Sequence, residues 1–548
     1  MTSFTVNTHY VDIPARRIFP ATVEVADGRI TSIKERPGPV EGFLLPGFVD
    51  AHVHVESSML VPAEFARLAV THGTVATVSD PHEIANVLGV EGVEYMIANG
   101  RQVPFHFFFG APSCVPATPF ETAGAAIDAE ATARLLENPA IGYLAEMMDF
   151  PGVLNGDPEV MKKIAHAHRL GKPVDGHAPG LHGDPARRYM EAGVPGAMRI
   201  ATDHECTTRE EALDKLRGGM YILIREGSAA KNFDALIGLM HDHAEKLMFC
   251  SDDKHPDSLV LGHIDRLCAR AVALGHDVFD VLRVACLNPV DHYKIPVGRL
   301  RAGDAADMIL VHDLRDFSVQ RTWIRGQVVA EHGRTLIPRT IAARPNKFNC
   351  HAKKASDFRV PATTEDLLVI EPHDGQLITT KRWMPPTVVD EACVADITKD
   401  LLKIAVVDRY HNAPPAVGWI TNFGLKRGAL AGSVAHDSHN IVAVGTNDGD
   451  LCAAVNAVIA QKGGISLADG AHHRVLPLPV AGIMTDADAY TVADAYAQMD
   501  REAKDLGCTL SAPYMTLSFM ALLVIPHLKM SDRGLFDGDT FRLVDDAR

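Results

Sequence analysis

Between about residues 45 and 290, short β-branched or apolar runs alternate with longer helical patterns. The strand candidates are "GTVATVSD", "IGYLAEMMD", "KPVDGHA", "RIATDHE", "MYILIREG" and "KLMFCSDD", and "PEVMKKIAHAHRLG" and "DPARRYMEAG" read as helices between them. Strand and helix units repeated over a span of this length predict a parallel (β/α)8 barrel. The polar, reactive residues sit at the C-terminal ends of those strands, where such barrels keep their chemistry.

Two β-rich pieces bracket this region. "TVEVADGRITSIKE" places alternating Val and Ile around an Asp-Gly turn, and the same texture returns between Gly298 and Gly333. The expected organisation is a composite β domain from residues 1–45 and 289–344, a metal-dependent barrel over 46–288, and a C-terminal α+β domain over 345–548 that caps the active site. In the last part, "KIAVVDRY" and "HNIVAVGTND" read as strands, "GLKRGALAGSVAHDSHN" as a loop and "NDGDLCAAVNAVIAQKGG" as a helix.

A net charge of −16 argues against a protein that holds nucleic acid by neutralising phosphates. No stretch reaches the roughly 18 apolar residues needed to span a bilayer, and the first residues lack a secretory pattern. The nine cysteines are scattered and form no C-x-x-C pair, so neither a disulfide framework nor a zinc ribbon is indicated. A cytoplasmic protein is expected, with no nucleic acid and no membrane among its partners.

The composition holds 27 histidines, and their positions carry the argument. In "PGFVDAHVHVESSM", His52 and His54 are two apart, so in a strand they face one way. A bare His-x-His also suits one core and one solvated histidine. The set decides between these readings: Glu146, His177, His204 and Asp252 each fall at or just after the end of a separate strand candidate. In a closed barrel all six converge over one mouth, a donor set for two divalent cations with one carboxylate able to bridge them.

The order H-x-H, bridging residue, His, His, Asp resembles the amidohydrolase superfamily. More narrowly, "PGFVDAHVHVESSM", "VSDPHEIANVLG", "AEMMDFPGV", "DGHAPGL", "ATDHE", "AHDSHNIVAVGTND" and "FMALLVIPHLKMSDRGL" are similar to the bacterial-type adenine deaminase family over almost the whole chain. Many superfamily members bridge their metals with a carboxylated lysine, whereas Glu146 stands at that position here, as in adenine deaminases. The resemblance implies that His52, His54 and Asp252 hold one metal, that His177 and His204 hold the other, and that Glu146 bridges. It implies manganese or iron; the donor types are also compatible with zinc.

The implied reaction is hydrolytic deamination of adenine to hypoxanthine and ammonia, within purine salvage or adenine catabolism, by metal-bridged hydroxide attacking C6. Asp252 is expected to accept the hydroxide proton and pass it to the departing nitrogen. Glu83, expected as a second catalytic residue, and Glu56 suit either protonating or hydrogen-bonding a ring nitrogen or fixing the orientation of an imidazole. Ser57 and His82 are candidates for substrate contact or for fixing loops, and Asp253 for substrate contact or an ion pair with Lys254. His436, Asp437 and His439 are expected to reach the purine if their loop closes over the barrel, and otherwise form a turn.

His166 and His168 on one helix, His241 and His243 on another, and His472 and His473 in a loop read as solvated. "HVE" and "HAE" match half of the cytidine-deaminase zinc signature, but its P-C-x-x-C half is absent. Two alternatives stay open on residues alone: an amidohydrolase that cleaves an amide or N-acyl bond, and a metal-free binding protein on the same fold. A homo-oligomer, dimer or higher, is expected.

Overall fold

The computed structural model describes residues 3–544. Eight parallel strands form the barrel: Phe48–Val53, Thr74–Ser79, His106–Ala111, Ile141–Met147, Val174–Gly176, Thr202–Asp203, Tyr221–Arg225 and Leu247–Cys250. The first five pair in one sheet and the last three in another. One seam is spanned by the Ala201 amide, which donates to Val174 O at 2.9 Å; at the other, the Asp252 amide donates to His52 O at 2.9 Å. Gly176 allows the first seam, since a Cβ there would stand 2.3 Å from Thr202 O.

These strands read as nearly continuous apolar runs because both faces are covered, as parallel strands require. The strand His106–Ala111 is one the sequence analysis does not identify. Its aromatic run "HFFFGA" shows no alternation and lies among prolines, so periodicity cannot mark it.

Both flanks contribute to one eight-stranded sheet. Phe43–Pro46 lies at its middle, parallel to Ser3–Asp12 and antiparallel to Met308–Val311. Leu44, Val23, Met308 and Trp323 fill its core. A second mixed eight-stranded sheet lies in the C-terminal part, with Leu402–Val407 between Ala416–Ile420 and Ile441–Gly445. The helix Asp448–Gln461 buries Leu451, Ala454, Val455 and Val458 against one of its faces. The segment read as a loop contains the strand Ala429–Gly432, too short and Gly-rich to show a period of two.

One apolar cluster runs from barrel residues such as Val49 and Leu144 to Leu430, Tyr496 and Met515 of the C-terminal part. Burial of that continuous apolar surface, at roughly 25 cal/mol per Å², fixes the C-terminal part on the barrel. His255 and Tyr496 add a buried hydrogen bond across the same junction. All nine cysteines are free and buried. No helix among the described residues is long and apolar enough to cross a membrane.

Three smaller expectations change. His166 and His168 lie on the helix Pro158–Arg169 but are half-buried, and His168 Nε2 bonds Arg199 O at 2.7 Å. His472 and His473 are exposed, but on the strand His472–Pro477. Asp253 makes no ion pair with Lys254: it accepts instead from Ser57 Oγ at 2.5 Å.

Candidate active site

The C-terminal ends of the barrel strands bring the six expected ligands together, all buried. His52 and His54 leave the first strand on the same side, with their Nε2 atoms 3.2 Å apart. Asp252, just past the last strand, places Oδ1 3.4 Å from His52 Nε2 and 3.2 Å from His54 Nε2. Glu146 lies between two histidine groups. Its Oε1 is 3.2 Å from His54 Nε2, and its Oε2 is 2.7 Å from His177 Nδ1 and 3.2 Å from His204 Nε2.

This arrangement fits divalent cations. Imidazole nitrogens and carboxylate oxygens form groups whose members lie within 4.8 Å of one another, and the carboxylate with two occupied oxygens can serve two centres at once. His54 Nδ1 faces Asp80 O at 3.2 Å, which leaves Nε2 turned toward the cluster. His177 Nε2 is buried with no hydrogen-bond partner. The chain thus carries a buried His, Asp and Glu cluster able to hold divalent metal.

Two residues beside the cluster are not identified by the sequence analysis. Arg225, at the end of its strand, donates through Nη1 to Asp252 Oδ2 at 2.6 Å and to Glu205 Oε1 at 2.5 Å. Burial pushes the Asp252 carboxyl up, but the guanidinium and the bonds to His52 and His54 outweigh it and hold that carboxyl well below the usual range. Glu205, next to His204, is raised by burial but lowered further by Arg225. The signal for Arg225 is a charged residue closing an apolar run in "YILIRE", and for Glu205 a second carboxylate in "ATDHE".

Of the expected substrate residues, His82, Glu83, Asp253, His436 and Asp437 line the cavity over the cluster, with Met148, Leu377, Phe519 and Leu522. Ser57, Glu56 and His439 do not line it. Ser57 holds Asp253, and Glu56 Oε1 accepts the Ile84 amide at 3.3 Å. His439 Nε2 reaches Glu83 Oε2 at 2.5 Å, while His436 Nδ1 bonds the other oxygen of the same carboxylate. The segment His436–Asn440 therefore lies on the barrel mouth, with the His436 ring stacked on Phe519 at 4.8 Å between centroids.

Glu83 is raised by burial but lowered further by His436, His439 and His82, so its carboxylate is ionised. His436 is lowered by burial but raised by Glu83 and Asp253, to about 9. The proton of this pair resides on the imidazole. Burial pushes Glu56 up to about 7, and burial with the neighbouring Asp252 pushes Asp253 up to about 6.

Among known proteins, the amidohydrolase family model matches residues 43–329, and the adenine deaminase C-terminal domain model matches residues 376–542. An adenine deaminase of Salinibacter ruber is 56% identical over 546 residues, covering 99% of each chain. One from a Sulfurovum species is 53% identical, again over 99% of each, and one from Methanosarcina barkeri is 48% identical over 98% of each. Matches of this extent reach both the barrel ligands and the segment that covers them, and the chain belongs to the adenine deaminase family of the amidohydrolases.

Proposed function

We propose that this chain hydrolyses adenine to hypoxanthine and ammonia: the C6–N bond of the amine breaks, a C6–O bond forms from water, and the water's protons leave with ammonia or remain on the purine. The observation that carries this reading is a divalent-metal donor cluster roofed by a polar segment of the adenine deaminase C-terminal domain. An N-acyl hydrolase would use the same ligands, but the matched C-terminal domain favours the purine.

His52, His54 and Asp252 would hold one metal, His177 and His204 the other, with Glu146 shared. Manganese or iron suits these donors and zinc is compatible, with two ions per subunit. Bound divalent cations make hydroxide available from water near neutral pH. Asp252 is the proton carrier: Arg225 keeps it ionised and ready to accept a proton from water at Oδ1, then deliver it to the departing amine. Glu205 offsets the guanidinium charge so that Arg225 does not repel the cations.

His82, Glu83, Asp253, His436 and Asp437 supply donors and acceptors for the purine edges, and Phe519, Met148 and Leu522 supply apolar walls. Ser57 and His439 act behind that layer, holding Asp253 and Glu83, and Glu56 holds the Ile84 amide beside Glu83. The domain reading (1–45 with 289–344, 46–288, 345–548), a homo-oligomeric state and a cytoplasmic location belong to the same proposal.

The test is ammonia and hypoxanthine formation from adenine by protein grown with iron chelated and manganese supplied, beside an Asp252→Asn variant. Both products from the native protein, and a loss of about 10²–10⁴-fold in the variant, are expected. Untouched adenine would sink the assignment.

A further inference from the structure

The space above the candidate metal-ligand cluster is only about 20 Å³, room for about one water molecule, so a purine can meet the walls assigned to it only once this space is joined to a neighbouring one. Every residue lining it is buried. A second cavity of about 330 Å³, within the range of small-molecule sites, adjoins it. The two share Glu205 and Leu377 in their walls.

The second cavity opens laterally between barrel loops and the segment Gly375–Ile378. Thr207, Lys231 and Gln376 at its edge are exposed, whereas Arg225, Glu205 and Leu377 at its inner end are buried. Its walls combine apolar surface from Ile378 and Ile525 with the polar Thr207 and Gln376. That mixture suits a flat heteroaromatic with polar edges. Arg225 Nε is buried there without a hydrogen-bond partner.

Leu377 stands between the chambers, and its backbone is held. Lys529, fully buried, donates from Nζ to Leu377 O at 2.7 Å and to Phe519 O at 3.0 Å, tying together two segments that wall the inner space. No carboxylate pairs with this amine among the described residues, and two carbonyls match the two N–H donors of a neutral amine. With the carbonyl held, the rotatable bonds of the Leu377 side chain are what remains to alter the wall that both cavities share.

We propose that the 330 Å³ cavity is an antechamber that receives the purine from solvent, and that the Leu377 side chain, on a backbone pinned by Lys529, is the gate to the metal cluster. This rests on the adenine reading of the inner site. Because the C-terminal part covers the barrel mouth, the route is lateral, and selection by size begins before the substrate meets any metal ligand.

The nine native cysteines are buried, so a cysteine placed at the cavity edge is the one thiol open to N-ethylmaleimide. In Gln376→Cys, alkylation is expected to lower kcat/KM for adenine at least tenfold relative to the same variant before labelling, with metal content unchanged. Hypoxanthine should slow that labelling at least threefold. Alkylated Gln327→Cys, on the exposed face of the flank sheet, serves as the control and should lose nothing. Leu377→Trp should lower kcat/KM by a similar factor and keep its metals. Full activity after alkylation at position 376, or labelling indifferent to purine, overturns the antechamber. If the native protein does not turn over adenine, the function reading fails on its own, and protection of the introduced thiol by purine still decides whether the cavity takes one.

Discussion

Arg225 Nη1 lies 2.6 Å from Asp252 Oδ2, on the oxygen of that carboxylate turned away from His52 and His54. The guanidinium thereby keeps this carboxylate, the proposed proton carrier, ionised without occupying the oxygen that faces the cluster. Removing it leaves a buried carboxyl that holds its proton to higher pH. Arg225→Met is expected to lower kcat/KM about 10²-fold, a range typical of lost acid–base catalysis, and to move the acidic limb of its pH profile upward. A profile with an unmoved limb would separate Arg225 from Asp252.

Glu146 spans both histidine groups, with Oε1 on His54 and Oε2 on His177 and His204, so its loss should be felt at both proposed metal positions. Glu146→Ala is expected to reduce bound divalent metal from about two to one or fewer per chain, with activity down at least a thousandfold. Elemental analysis after equilibrium dialysis reads the first quantity and an ammonia assay the second.

The cluster also predicts a stability effect of metal. Ions that bind the folded chain and not the unfolded one stabilise it by RT ln(1 + [L]/Kd), about 2.7 kcal/mol at a hundredfold excess over Kd. Chelator-stripped protein should melt several degrees lower than the native form and recover when manganese is restored. Calorimetry at graded manganese concentrations would show the shift, and a melting point indifferent to metal would count against a built site.

His439 touches Glu83 from behind the cavity, so its removal should disturb the proposed substrate contact and leave the six candidate ligands in place. His439→Ala is expected to reduce turnover about tenfold with metal content unchanged. A variant that fails to fold would instead make the segment a packing element, with circular dichroism distinguishing the two outcomes.

Lys529 gives a pH signature away from the metals. Burial pulls its amine down to about 7, against about 10.4 for an unperturbed lysine. A lysine whose folded pKa is depressed favours folding when neutral, so its contribution is full above about 10.4 and lost as pH falls through about 7. Lys529→Met should therefore gain stability relative to the native protein as pH is lowered from about 10 to 6. Urea unfolding at both ends of that window checks the sign.

Much of this site is legible in the order of residues along the chain. His52 and His54 announce themselves by their spacing at a strand end, and Glu146, His177, His204 and Asp252 by recurring where successive apolar runs stop. Glu205 is less visible because its neighbour His204 already accounts for the motif. Arg225 is hidden because a single arginine after "YILI" resembles an ordinary solvated strand end. The contact of Glu83 with His436 spans 353 residues, and no local pattern encodes a pairing at that separation. Similarly, "HFFFGA" carries no period, and its place as a barrel strand follows only from the strands on either side.

The seam between the first and last barrel strands has a consequence for how the protein is made. His52 and Asp252 are joined there by a backbone hydrogen bond, yet they are synthesised 200 residues apart. A chain emerging from the ribosome therefore holds its first two candidate ligands long before the carboxylate that completes them, and ring closure must carry the entropy of a long loop. Metal capture would report that the ring has shut, so an internally truncated or permuted chain should reveal its incomplete barrel first by failing to retain metal.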